Sequence, residues 1–308
     1  MDADSLIPFL ASTAGAATPL VLAATGELVT ERSGIINLGT EGMMLIGAVT
    51  GFAVAFNTGH TGLGVLAALL AGVLTALIFA FLVLTLQNNQ IATGLALTLF
   101  GVGFSAFVGR AYAGQTIQAI PNVQIPLLSN MPFFGPLLFQ FDPLIYLSVI
   151  LVLVAHWVFR RTRLGLIIRA IGESPHNAHA IGYSVIVYRY GTVLLGGAMA
   201  GLAGAYLSLE LTPMWVEGMT AGRGWIAQAL VVFATWKPKS VLYGAYLFGS
   251  VTVLQFHGQG IGLNVPSEFL SMLPYLATIV VLTIISRNPL IILLNKPVSL
   301  GQNFSADN

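Results

Sequence analysis

The sequence predicts an all-α polytopic membrane protein with about nine transmembrane helices (eight to ten). Three observations predict it. Of the 308 residues, 56% are hydrophobic and only 7% charged, where soluble domains carry about 25% charged residues. Apolar runs recur along the whole chain at about the 20 residues that a membrane-crossing helix needs. The basic residues gather on one side of those runs, as membrane topology requires. Little sequence is left over for a soluble domain, so residues 1–308 read as a single transmembrane domain. The chain has no cysteine, which excludes disulfides, thiol catalysis and thiolate metal sites. Its 34 glycines suit helices packed closely in lipid.

In chain order the expected spans are roughly 6–26, 35–56, 62–86, 91–109, 143–159, 188–209, 224–236, 240–256 and 268–286. The N-terminal MDADSLIPFL has two Asp and no Lys or Arg, so it lacks the basic start of a cleavable signal peptide. The first span is therefore expected to remain. The segment 224–236 is short for a bilayer core of about 30 Å. It reads either as a short helix in a protein-lined region or as a re-entrant hairpin with its successor. The sixth span carries Gly197 and Gly201, a GxxxG pair that lets a neighbouring helix approach closely.

The stretch Arg160–Arg189 orients everything else, because it holds five of the twelve Lys and Arg. Basic loops stay in the cytoplasm. With this stretch inside, Arg32, Lys237, Lys239, Arg287 and Lys296 also fall inside, leaving only Arg110 and Arg223 outside. The N-terminus is then outside and the C-terminus cytoplasmic. Within the stretch, Gly172 can end a helix, Ser174 can cap a new one with Pro175 at its first position, and Gly182 can stop it. The expected element, Pro175–Ile181, is about two turns and too short to stand alone in water. An ordinary connector or a docking element would both fit.

An outer loop, 111–142, holds four prolines and several aromatics, and a polar tail, 299–308, is expected to fray. His176 and His179 are spaced for one face of the short helix, but no carboxylate accompanies them, so no metal site is expected. His156 reads as a packing residue in an apolar span.

The polar residues inside apolar runs are the pathway candidates. Glu41 lies in GIINLGTEGMMLIG, with Asn37 four residues earlier and so expected on the same helix face. The pair could line or gate a pathway, or could brace neighbouring helices near the cytoplasmic end. Gln90 and Thr93 follow the polar turn Gln87–Gln90 and could face a cavity or belong to a capping turn. Gln228 interrupts the short span.

Several stretches together resemble one family. GELVTERSGIINLGTEGMMLIGA (26–48), NQIATGLALTLFG (89–101), RAIGESPHNAHAIGYSV (169–185) and GRGWIAQALVVFATWKPKSVLYGAYLFG (222–249) resemble the permease subunits of sugar- and nucleoside-type ABC importers. The group linked to nucleosides and basic membrane proteins is nearest, and branched-chain amino acid permeases are more distant relatives. The resemblance implies a type II-like importer permease fold in a bacterial inner membrane. It implies a second, non-identical permease subunit, ATPase subunits that carry ATP and Mg, and an extracytoplasmic substrate-binding protein. It matches Arg169, Glu173, Pro175, Ala178 and Gly182 to the segment that couples the permease to its ATPase. The family's usual Asn or Asp before the proline is Ser174 here, which keeps the cap. No cofactor, metal or nucleic acid polymer is expected on the chain.

The function expected is therefore a non-catalytic importer subunit for a nucleoside, or next a simple sugar. No Gly-rich phosphate loop is present. Besides a branched-chain amino acid ABC permease, the alternative is an ATPase-independent secondary carrier. It would need charged or broken-helix ion sites near the midplane, and Glu41 is the one carboxylate read there. An intramembrane enzyme would need a catalytic pair that the sequence does not offer.

Overall fold

A computed structural model describes residues 3–123, 139–260, 272–286 and 295–305, with Gly135 and Phe269. The described residues form helices α1 (Ala3–Arg32), α2 (Thr40–Thr58), α3 (Thr61–Ala80), α4 (Gln90–Gly109), α5 (Pro143–Arg161), α6 (Arg163–Glu173), α7 (Pro175–Ala180), α8 (Val185–Tyr206), α9 (Arg223–Phe233), α10 (Pro238–Gly260) and α11 (Leu273–Ser286). Wider π-helical turns, Phe81–Thr85 and Leu207–Leu211, extend α3 and α8. Among the described residues six helices are long and apolar enough to cross a membrane: α1, α2, α4, α5 and the extended α3 and α8. The other three expected spans fall on α9 with 11 residues, α10 with 23 and α11 with 14. The count of nine crossings therefore rests on the sequence.

Local chemistry sets the helix ends. Asn89 caps α4 by accepting from the Ala92 amide at 3.0 Å. Asp142 caps α5 through the Leu144 and Ile145 amides at 2.8 and 3.1 Å, with Pro143 at the first position. Inside α1, Thr18 and Thr25 return their hydroxyls to the carbonyls one turn back, so neither is left unpaired in an apolar setting.

Helices α1, α2, α3, α4 and α8 pack with backbone against backbone. A Cβ on Gly47 would lie 2.6 Å from Gly201, and one on Gly42 2.6 Å from the Leu97 carbonyl oxygen. A side chain on Gly201 would also overlap the Ala68 carbonyl, so this glycine lies in the junction of three helices. The GxxxG pair is thus a close-packing seam with α3, where Gly197 meets Gly72. The outward faces of α3 and α4 carry Leu66, Leu70, Leu74, Leu99 and Phe107 largely exposed, as a lipid-facing or subunit-facing surface does.

Three expectations about the chain ends and loops are corrected. Helix α1 continues past the expected end at 26 to Arg32, and Glu27 and Glu31 are buried helical residues. Gly172 does not end a helix. It lies within α6, where a side chain would collide with the Arg32 carbonyl, and the helix stops instead at Glu173. The tail does not fray over 299–305. Ser299 and Phe304 are buried, and the tail is hydrogen-bonded to the end of α6 and to two loops. Most of the expected outer loop and the start of the last expected span lie outside the described residues.

Candidate functional site

The structural break after α8 defines the site. From Thr212 to Gly222 the chain is not helical, yet it runs alongside α2. Trp215 packs with Ala48, Val49 and Phe52 of α2, and Thr220, Gly222 and Gly224 reach Glu41. Glu41 and Val49 are eight residues apart, so irregular backbone descends about 12 Å along that helix. Only then does α9 begin, and its 11 residues span about 16 Å. Residues 212–233 thus form one discontinuous element, half loop and half helix.

Carboxylates fasten α9 at both ends. The Glu41 carboxylate accepts from Thr220 Oγ1 at 2.6 Å and the Gly222 amide at 2.8 Å through Oε1, and from the Gly224 amide at 2.6 Å through Oε2. These are the amides a helix start leaves without partners, and the helix dipole favours an anion there. Gly224 is required because a Cβ would lie 2.6 Å from the Glu41 backbone. At the other end, Trp236 Nε1 donates to Glu31 at 2.5 Å, and the Arg32 guanidinium donates to the Trp236 carbonyl at 2.7 and 3.1 Å. Thr235 and Trp236 both have left-handed backbones, at φ +48° and +53°. Such residues persist only where their surroundings hold them, at about 1–3 kcal/mol each.

Asn37 lies in the loop before α2, so it does not share a helix face with Glu41, which corrects the sequence expectation. Its carbonyl accepts from Gln228 Nε2 at 2.5 Å, and its amide donates to Glu27 at 3.1 Å. Asn37, Glu41 and Gln228 therefore meet around one half-helix. Gln90 and Thr93 are elsewhere. Gln90 is buried and accepts from the Ile36 amide at 2.9 Å, while the Thr93 hydroxyl donates to the Asn89 carbonyl. Beside the start of α9 is a cavity of about 340 Å³ that Arg223, Gln255 and Tyr275 line, and the Tyr275 hydroxyl donates to the Ala221 carbonyl at 2.7 Å.

The basic loop supplies the second part of the site. Ser174 caps α7 by accepting from the Asn177 amide at 3.4 Å, Pro175 opens the helix, and Gly182 has φ +95°. The short helix forms over Pro175–Ala180, one residue shorter than expected. It turns Pro175 and Ala178 inward and leaves His176, Asn177 and His179 exposed, with Glu173 exposed just before it. Arg169 is also exposed.

The sequence profile of the family described as "Branched-chain amino acid transport system / permease component" matches residues 9–282. The chain belongs to this family. The permease is 40% identical to TsgC13 of Haloferax volcanii, whose name assigns it to glucose ABC transport, over 97% of both chains. It is 33% identical to the nucleoside ABC transporter permease NupC of Lactococcus lactis and 31% identical to the guanosine ABC transporter permease NupQ of Bacillus subtilis, over 87% of this chain and 88% of each relative. The chain is the permease component of an ABC importer.

Sequence reasoning missed four residues of this permease: Glu27, Glu31, Arg32 and Arg189. Each is charged and close to a basic loop, which reads as a solvated helix end. The available signal was GELVTER itself, whose acidic residues at 27 and 31 recur on one helical face. Arg189, counted among the cytoplasmic charges, is 1% exposed. Its guanidinium donates to the carbonyls of Ser33 and Gln302 at 3.0 and 3.2 Å and to Ser299 Oγ at 3.4 Å. That bonding offsets the cost of burying its charge.

Proposed function

We propose that the discontinuous element 212–233 forms the wall of the translocation pathway, and that the solute is a nucleoside. One observation carries the first part. Irregular backbone at membrane depth is tolerated only where protein buries it or where it lines a wet cavity. In the isolated chain Val216, Glu217, Gly218, Ala221 and Trp225 are exposed. That face therefore belongs against a second permease subunit, with the pathway between the two. Asn37, Glu41 and Gln228 hold the wall in place, and Gln90 and Thr93 serve at the α3–α4 turn rather than in the pathway. The basic end is cytoplasmic, and the N-terminus of α1 is outside.

In this reading α7 is the coupling helix. Separate ATPase subunits bind ATP and Mg and close on hydrolysis-competent nucleotide. Their movement reaches the permease through Arg169, Glu173, Pro175, Ala178 and Gly182. An extracytoplasmic binding protein delivers the solute. Two relatives named for nucleoside and guanosine transport support a nucleoside. The relative named for glucose, at 40% identity, favours a simple sugar as the second reading. Uptake by the complete transporter in membrane vesicles tests both. Labelled nucleoside uptake that needs ATP and is competed by nucleosides but not by glucose is expected. Competition by glucose alone would move the assignment to sugars, and solute accumulation without the ATPase subunits would overturn the importer mechanism for this chain.

A further inference from the structure

We infer that the C-terminal tail is a strap that positions the coupling helix and ties it to the inner ends of α2 and α4, with Phe304 as its positioning residue. The inference rests on α7 being the coupling helix. At only six residues, that helix cannot hold itself together in water. It turns Pro175 and Ala178 inward, and Ala178 joins a buried cluster with Ile171, Val185 and Phe304. Phe304 comes from more than a hundred residues further along the chain. The His176 and His179 rings pack on it, with centroids 5.1 and 5.6 Å away. Phe304 is the largest buried side chain of that cluster.

The same tail is bonded to the other loops of the basic end. The Ser299 amide donates to the Gly172 carbonyl at 2.9 Å, at the end of α6. The Gly301 amide donates to the Gly34 carbonyl at 2.9 Å, in the loop that leads to Asn37 and Glu41. Asn303 Nδ2 donates to the Gln87 carbonyl at 2.6 Å, and Gln90 Nε2 donates to Asn303 Oδ1 at 3.2 Å. Within a few residues one strand of backbone touches α6, α7, the approach to α2 and the start of α4. A displacement of α7 thus has a direct route to the loop that holds the half-helix, independent of the helices between them.

The test uses the assembled transporter with its ATPase subunits, and reads the ratio of solute-stimulated to basal ATP hydrolysis alongside uptake. Phe304→Ala is expected to co-purify with the ATPase and keep basal hydrolysis, while uptake and the stimulation ratio fall by about tenfold, as loss of a buried Phe side chain shifts a local equilibrium. Phe304→Leu, which refills the space, is expected to restore most of the ratio. Asn303→Ala, at an exposed position where folding is not at risk, is expected to lower the ratio severalfold. Wild-type ratios in both alanine variants would overturn the inference. So would Phe304→Ala that fails to assemble together with Asn303→Ala that couples normally, since the tail would then serve folding alone. Gly182→Val in parallel separates the two ideas: if it too couples normally, the coupling role of α7 itself fails.

Discussion

Replacing Glu41 by Gln tests whether a carboxylate fastens the half-helix. The substitution keeps size and leaves one oxygen acceptor. The amide can turn that oxygen toward Thr220 and Gly222, as Oε1 does now, but it then presents an NH2 to the Gly224 amide, where Oε2 now accepts at 2.6 Å. One charge-assisted bond is lost, and a buried N–H faces another donor. Hydrogen bonds to charged groups contribute about 1.5–3 kcal/mol, and an orphaned buried donor costs a similar amount. A net loss of about 2 kcal/mol corresponds to roughly a 30-fold rise in local opening. Hydrogen exchange of the permease in lipid nanodiscs reads this directly. Peptides covering 220–226 should exchange roughly 30-fold faster, while peptides from the buried centre of α8 stay unchanged. Uptake should fall with the loosened wall. Wild-type protection at 220–226 in the Gln variant would refute the anchoring role of the charge.

Gly182→Ala places a side chain at φ +95° and should weaken the end of α7 by about 1 kcal/mol; uptake should drop while membrane insertion, measured by fractionation, is unaffected. Gly201→Val drives a side chain into the Ala68 carbonyl and the Gly72 backbone of α3; overpacking should cost about 1–3 kcal/mol, read as a lower melting temperature in detergent. Burial lifts the Asp142 carboxyl above its ordinary 3.8. The folded chain holds that proton more tightly than the unfolded one, so this contribution is full below 3.8 and is lost as pH rises through the folded value. Asp142→Asn keeps the cap and should flatten that part of the pH–stability profile, whereas Asp142→Ala should flatten it equally and be about 1 kcal/mol less stable than Asp142→Asn at every pH.

The helices that cross on apolar length alone were legible from composition, and α2 to α5 and α8 begin and end close to where the runs do. The short helix α7 was legible for a different reason, since Ser174, Pro175 and Gly182 each specify backbone geometry by themselves. The broken element was half legible. Residues 224–236 were read as an unusually short span, and α9 has only 11 residues, but the non-helical 212–222 carries no apolar run to mark its depth. Glu41 was singled out, and its partners were not, because Thr220, Gly222 and Gly224 are 179 or more positions away and donate through a hydroxyl and two backbone amides. The tail was illegible because its polar residues are satisfied by other loops, and a sequence shows polarity but not the partner.

The glycine junction of α2, α3 and α8 has a mechanical consequence. Where main chain rests on main chain, no intervening layer of side chains can re-pack to let one rod slip past another. Those three rods therefore form a stiff keel. Flexing has to occur in members lashed to it by a few polar atoms, namely the half-helix and the C-terminal strap. Damage to the keel should show as lost folding, and damage to the lashings as lost timing between nucleotide turnover and solute movement.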